Sequence, residues 1–554
     1  MHLLSLPNEV ILELFKYLNT SDILSLRQTC THVAGISKDK LIWSNLIQQL
    51  RTRVPLPANV LTTLEEWSSD ALESLVISAE LVDQLWLEPR DSPPVKLQNK
   101  RGELLFGVEI FLDRWILAVY LDGYINLWDA ESFVDKENHG RWSSVYTGND
   151  KTTSYQAVVD DAGGRLLVVI TRAHLPGTWV AALYEIQLSD PPLNLHFTLL
   201  CTFPISSSRI AQQIHPRERM IALSQLSSVE LARWSEESET DITSVLISNM
   251  ESDALEEMFT TILSLRILSD KYVFVFKTRS IELYPLPEAT THRRHNIVNE
   301  HSSRPLLKHV FPSYNFRDVQ ISDVEIEVSN KDGSSEPIFE GTRYKLKILA
   351  SDIIQGLFFF IVTISIPLTQ GEIATLDVNL AAVYALANHI PLRPSARRRS
   401  QLPRKSSSSR TESPMANESY RFQLFSGPAT PTSPRTSSFV SAYALGTQGM
   451  RAVWIERRRG TTEKEIITCR LNAPRLTSPG LSILDSDLDS SSSNGDHGDD
   501  GLGVLPQALD GQVVYSSISY DLREDITHCA LGEVSGKIIL GNRSGDIFVL
   551  ETGV

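Results

Sequence analysis

The feature that most limits the fold of this chain is a hairpin that keeps returning. Residues 114–132, RWILAVYLDGYINLWDAES, read as an apolar strand, an Asp122-Gly123 turn and an alternating strand ending in Trp128-Asp129. Asp-Gly between two such runs is a strong hairpin signal, because its backbone accepts the positive φ that a tight turn between twisted strands requires. GKIILGNRSGDIFVLE at 536–551 repeats the layout around Ser544-Gly545, and DKYVFVFKTRSIELYPL at 270–286 repeats it without the glycine. Weaker versions lie at 165–188, 219–234, 344–366 and 440–471. No helices are expected between them. One segment, SDALEEMFTTILSLRIL at 252–268, is ambiguous between helix and strand.

Two interruptions carry too little apolar surface to offset the entropy of ordering them. Residues 390–438 are rich in Ser, Pro and Arg, and seven basic residues with no acidic one lie between Arg393 and Arg410. Residues 477–512 are rich in Ser, Gly and Asp, with no basic residue. Both are expected to be disordered loop insertions. The run GLFFFIVTISIPL at 356–368 is shorter than the roughly 20 apolar residues of a membrane span and ends in proline, so it is expected to be a buried strand.

Radially repeated hairpins point to a β-propeller of four-stranded blades. With the two insertions set aside, about 370 positions remain after residue 100, enough for seven or eight blades of about 40–45 residues; seven is the expected number. A β-sandwich is the rival fold. Asp122-Gly123 with Trp128-Asp129 resembles one WD repeat. The Gly-His half of that signature is missing, and Trp-Asp occurs nowhere else.

The first 96 residues are different. Residues 3–50 read as three short helices. Pro7 suits a first helical turn, and Val10, Ile11, Leu14, Phe15 and Leu18 form one apolar stripe. "NTSD" at 19–22 supplies cap and turn residues before a second helix with Ile23, Leu24, Leu26, Cys30 and Val33. The third carries Leu41, Trp43, Leu46, Ile47 and Leu50. A further helical segment at about 59–87 shows Asp70 and Glu73 at capping-box spacing, and the prolines of EPRDSPPVK at 88–96 end it. So small a module buries little surface alone, yet each large apolar side chain is worth about 1.5–3 kcal/mol once buried. A partner that covers the surplus would gain that energy, as would packing of the helices against the propeller or the 59–87 segment.

LPNEVILELFKYLNTSDILSLRQTCTHVAGISKDKLIWSNLI resembles the F-box motif: Leu6-Pro7, Glu9, the first-helix stripe, SDILSLRQTC and the Leu41-x-Trp43-x-x-Leu46 ending. LESLVISAELVDQLWLEP resembles the helical extension of fungal F-box proteins. The resemblance implies a mainly β protein: a small N-terminal α-helical F-box (1–50), a helical linker (51–96) and a WD-repeat-like β-propeller (97–554). It further implies a substrate receptor of an SCF-type cullin–RING ubiquitin ligase, non-enzymatic itself, acting in ubiquitination and proteasomal degradation. Its partners would be a Skp-type adaptor, cullin and RING subunits reached through it, and a protein substrate the sequence does not identify. Carried over by position, Leu6, Pro7, Val10, Ile11, Leu14, Leu18, Ile23, Leu24 and Leu26 form the adaptor-facing and supporting surface, and Leu41, Trp43 and Leu46 close the module's core.

Composition agrees with a binding protein. A net charge of −15 and a pI of about 5.4 argue against a general nucleic-acid binder, and no membrane partner is expected. Cys30, Cys201, Cys469 and Cys529 are scattered, which argues against a disulfide framework or zinc site and fits a reducing compartment. No signal peptide is read at the N-terminus, and a cytoplasmic or nuclear location is expected, with RPSARRRSQLPRK at 393–405 either a solvated loop, a nuclear-import signal or an anionic-ligand patch. Ser413, Thr430, Ser433 and Ser478 precede prolines and are candidate phosphorylation sites. No catalytic or cofactor fingerprint is present: GEVSGKI at 532–538 departs from a phosphate loop and reads as a turn, and His292, His295 and His301 lack metal-ligand spacing. Two other functions remain open: a propeller scaffold whose F-box-like helices serve an assembly outside ubiquitin transfer, and a propeller hydrolase, which would need acid and base groups converging in the channel.

Overall fold

The computed structural model describes residues 6–551 apart from 59, 61–62, 89–92, 99, 134–140, 149, 161–162, 176, 189–194, 206–207, 235–240, 246–259, 270, 287–303, 329–340, 369–372, 387–437, 459–461 and 472–505. The leading segment contains α1 (Asn8–Phe15), α2 (Thr20–Arg27), α3 (Thr31–Ile36), α4 (Lys40–Leu50) and α5 (Ser69–Leu87) among its described residues. Seven sheets follow, antiparallel but for one short parallel pair in the fifth. They are the seven blades of a propeller, at residues 105–146, 152–205, 210–245, 262–310, 318–385, 438–518 and 526–551. Blade 7 is completed by Val95–Lys96, which pairs with Ile547–Glu551. The ring is thus closed by chain from before blade 1.

Each hairpin legible in the sequence holds the middle pair of one blade, from Trp115–Tyr120 with Tyr124–Asp129 in blade 1 to Lys537–Asn542 with Ile547–Glu551 in blade 7; the segment expected as a hairpin at 440–471 spans three strands of blade 6, Ser438–Leu445, Arg451–Arg458 and Glu463–Arg470. Their near-continuous apolar character has a geometric cause. Successive side chains point to opposite faces of a sheet, and both faces of a blade are covered. Trp115, Leu117 and Val119 enter the core shared with blade 2, whereas Ile116, Ala118 and Tyr120 enter the core shared with blade 7. Every pair of neighbouring blades shares one such core. The run at 356–368 behaves likewise: Gly356–Pro367 is a central strand of blade 5, with Phe358, Phe360, Val362 and Ile364 on one side and Leu357 and Phe359 on the other.

The first strand of each blade lies innermost, beside its counterparts in the neighbouring blades. In blades 1, 2, 3, 4, 6 and 7 the register of that strand shifts after its first paired residues, a repeated β-bulge that bends the strand and re-aims its side chains. Inner strands of different blades are stapled by side chains. Tyr155 hydrogen bonds to Glu109, Ala211 N donates to Ser154 Oγ at 2.8 Å, and Ile267 N donates to Gln213 Oε1 at 2.6 Å. Arg266 Nη2 reaches Ile321 O at 3.0 Å, Gln320 bridges Tyr443 O and Leu445 N, and His528 bonds to the backbone of Phe106.

Four expectations change. The described residues 6–50 hold four helices, because the chain leaves α2 at Gln28 and re-enters at Cys30, which is extended at φ −160°. Asp70 and Glu73 form no capping box: Ser68 caps α5 by accepting from Ala71 N, and Glu73 instead pairs with Arg27. The ambiguous 252–268 segment contains a strand, Ile262–Ile267, whose alternate residues Ile262, Leu265 and Ile267 fill the core between blades 3 and 4. The end of the acidic insertion is ordered, with Gln507–Ala508 adding in parallel to Thr375–Ala385. Residues 390–437 and 477–505, and with them the basic stretch and the Ser/Thr-Pro sites, lie outside the described residues, as do His292, His295 and His301. Among the described residues no helix is long and apolar enough to cross a membrane.

Candidate functional site

The helical module builds a core around Trp43, fully buried, with its indole N–H donating to Ser37 O at 3.0 Å. Asn19 caps α2 and Asp39 caps α4. Arg27 lies over the Trp43 ring, 5.7 Å from its centroid, and forks onto Glu73 of α5, tying the small helices to the long one. The Glu73 carboxylate holds the Arg27 guanidinium above its ordinary pKa.

This core divides the nine positions expected to face a partner. Ile11 and Ile23 are buried in it. Leu6, Leu18, Leu24 and Leu26 are half-buried at its edge. Pro7, Val10 and Leu14 are on the surface, the last two 43% and 45% exposed one turn apart on α1. Of the three residues expected to close the core, Trp43 and Leu46 do so; Leu41 is 50% exposed, because it follows the Asp39 cap on the outer side of α4. Sequence reasoning missed Tyr17, 81% exposed, since its apolar period belongs to no buried stripe. A shallow cavity of about 360 Å³ opens beside Leu12, Gly35, Ile36 and the start of α4.

The module is fixed to one face of the propeller. The turn between the first two strands of blade 6 presents Gln448, whose side chain bonds both Leu56 N and Leu56 O. That turn wraps Glu533 from the equivalent turn of blade 7: the carboxylate accepts from Gln448 N, Met450 N and Arg451 N. Burial raises the Glu533 pKa, and those amide donors oppose the rise. Arg451, fully buried, donates to Glu533 O at 2.8 Å, pairs with Asp83 of α5 at 3.3 Å and lies over Trp86. Arg470 also reaches Asp83, at 3.1 Å. Trp86 enters the core between blades 6 and 7. The opposite face, formed by the turns between second and third strands and the links between blades, receives none of these contacts.

Residues 3–49 are F-box-like: they match the F-box-like family model. No curated protein matches the chain. Three solved structures share its outline. The Myceliophteria thermophila Cps50 (Swd1) β-propeller domain is 10% identical, with a TM-score of 0.44 over 83% of this chain and 99% of that one. U3-55K is 9% identical, at 0.37 over 83% and 99%. The C-terminal WD40 domain of Sif2 is 9% identical, at 0.36 over 82% and 97%. The seven sheets and their strand order establish the propeller behind the F-box-like segment.

The channel does bring acid and base groups together. Glu109, Tyr155, Arg266 and Asp323 converge from four blades. Burial pushes the Glu109 carboxyl up to about 7, against the pull of Tyr155 and Arg266. Yet Arg266 spends its donors on the carbonyls of Leu265 and Ile321, and Glu109 and Tyr155 bond each other. The Glu109–Tyr155 and Arg266–Ile321 bonds are staples of the inner ring, and Asp323 faces the Arg266 charge. Asp129 of the Trp-Asp pair is likewise structural, forked by Arg114 at 2.9 Å.

Proposed function

We infer that this protein is the substrate-recognition subunit of an SCF-type cullin–RING ubiquitin ligase. The observation that carries the reading is the F-box-like match at residues 3–49 with Val10 and Leu14 turned outward on α1. The helices dock on a Skp-type adaptor, and cullin and RING subunits join through it. The propeller holds a protein substrate on the face opposite the helical module. The chain carries no catalytic residue: it raises the effective concentration of a substrate lysine near ubiquitin held by another enzyme, and the substrate goes on to proteasomal degradation. The clamp by Gln448, Arg451 and Arg470 supports this division of labour, because positional catalysis needs the two binding surfaces held at a fixed separation. Its place of action is the cytoplasm, the nucleus or both, which imaging of a fluorescent fusion tests.

Co-expression with the adaptor tests the assembly. The wild-type chain co-purifies with it. Val10→Glu with Leu14→Glu abolishes co-purification with only a small drop in melting temperature, since both side chains are partly exposed in the free chain and neither belongs to the buried core. A wild-type chain that does not co-purify, or a double variant that still does, overturns the assignment.

A further inference from the structure

The fourth strand of blade 5, Thr375–Ala385, is the longest outer strand among the described residues at 11 residues. The corresponding strands of blades 1, 3 and 4 have 5, 5 and 4 residues. That of blade 2 has 9 but contains Pro204, which cannot donate to a further strand. Over Thr375–Leu380 this edge has no Pro, no Lys and Asp377 as its one charge; the one irregularity of the strand is a bulge at Ala381, beyond that stretch. Its free side is used once. Gln507–Ala508 pairs in parallel with Ala382 and Val383, and Leu509 N donates to Val383 O at 2.9 Å. Among the described residues nothing pairs with the outer side of Thr375–Ala381. Leu376, Val378 and Leu380 are only half-buried against the core between blades 4 and 5, so one more strand would complete their cover.

The sequence of this edge says what fits it. Residues 376–380 read Leu-Asp-Val-Asn-Leu, a near palindrome. A second copy laid antiparallel about a two-fold axis through Val378 puts Leu376 opposite Leu380, Asp377 opposite Asn379 and Val378 opposite itself. The strand's one charge then meets a neutral amide. An axis one residue earlier would set Asp377 against its own copy, and one residue later would drive two strand residues, Thr375 and Leu376, into the places held by Ala508 and Gln507; the axis at Val378 brings only residues ahead of the strand, beginning with Ala374, to that point. Opposed apolar pairs stabilise a sheet and opposed like charges destabilise it. A two-fold axis also closes the assembly, as isologous contacts do.

We propose that the chain self-associates through this edge, two blade 5 sheets joining into one across a two-fold axis at Val378. The contact lies on the rim, so the helical module and the opposite propeller face stay free in both copies. The inference is independent of what the propeller binds.

Sedimentation of the full-length chain over a dilution series tests it. The wild type shifts from two chains to one on dilution. Val378→Lys and Val378→Glu each sediment as one chain, because each sets like charges against each other across the axis. An equimolar mixture of the two regains the two-chain mass, with Lys opposite Glu. Val378→Cys, a smaller change, cross-links as a dimer on oxidation where the wild type does not. A wild type that stays monomeric at the highest concentration overturns the proposal, including the case where hydrogen exchange shows residues 375–381 covered by the chain itself. A folded Val378→Lys that remains a dimer, or a mixture of folded variants that does not reassociate, also overturns it.

Discussion

Glu109 shows how one side chain in the channel sets a pH dependence. Its folded pKa of about 7 lies well above the ordinary carboxylate range, with burial as the main cause. The native state therefore holds a proton there that the unfolded chain has released, and stability falls as pH rises from that ordinary range to about 7, then levels off. Glu109→Gln keeps an acceptor for Tyr155 and removes the titration. The variant is expected to melt above the wild type at pH 8, with the gap closing toward pH 5; thermal melts at both values check it. Nothing in the sequence marks this glutamate, because its environment comes from Tyr155 and Arg266 of other blades. The α1 residues lie between these extremes. Their apolar stripe is legible, but whether Ile11 or Val10 points inward depends on where α4 packs.

At the scale of elements, α5 is the joint. Its helical period and its end before the prolines are visible in the sequence, since both are local properties of backbone and side-chain spacing. Its role is not, because Asp83 and Trp86 meet Arg451 hundreds of residues away. Removing one member of a buried charge pair is costly because the other is left uncompensated, on the order of 3–5 kcal/mol when both are fully buried. Asp83 is partly exposed and keeps Arg470. Arg451→Met, which replaces the guanidinium over Trp86 with an apolar side chain of similar length, is therefore expected to cost less, about 1–3 kcal/mol, concentrated at the joint. Hydrogen exchange is the measurement: amides of 69–87 should exchange faster than in the wild type, while those of blades 2–4 stay unchanged.

For the whole molecule, stability depends on closing the ring. Val95–Lys96 supplies the outer strand of blade 7, Leu97 N donates to Ile547 O at 2.9 Å, and Leu97 is buried. A propeller beginning at residue 93 and one beginning at residue 98 both lack the helical module and differ only in this closure. The shorter chain is expected to be less stable by about 2–4 kcal/mol from the lost burial and pairing, read as a lower denaturant midpoint.

The sequence by itself determined the hairpins, the change from helices to strands near residue 100 and the F-box-like start, and it narrowed the blades to seven or eight, of which the sheet topology chose seven. Each is written in short-range order: turn residues, a period of two or of about 3.6, or a contiguous motif. Only the tertiary structure decided which apolar residues of the first helices remain outside, which strand closes the ring, and which propeller face the helices occupy. Those outcomes depend on contacts between residues far apart in the chain, such as Leu56 with Gln448 and Val95 with Val549. Local pattern carries no record of them, because the energy that selects them appears only when the distant partner arrives.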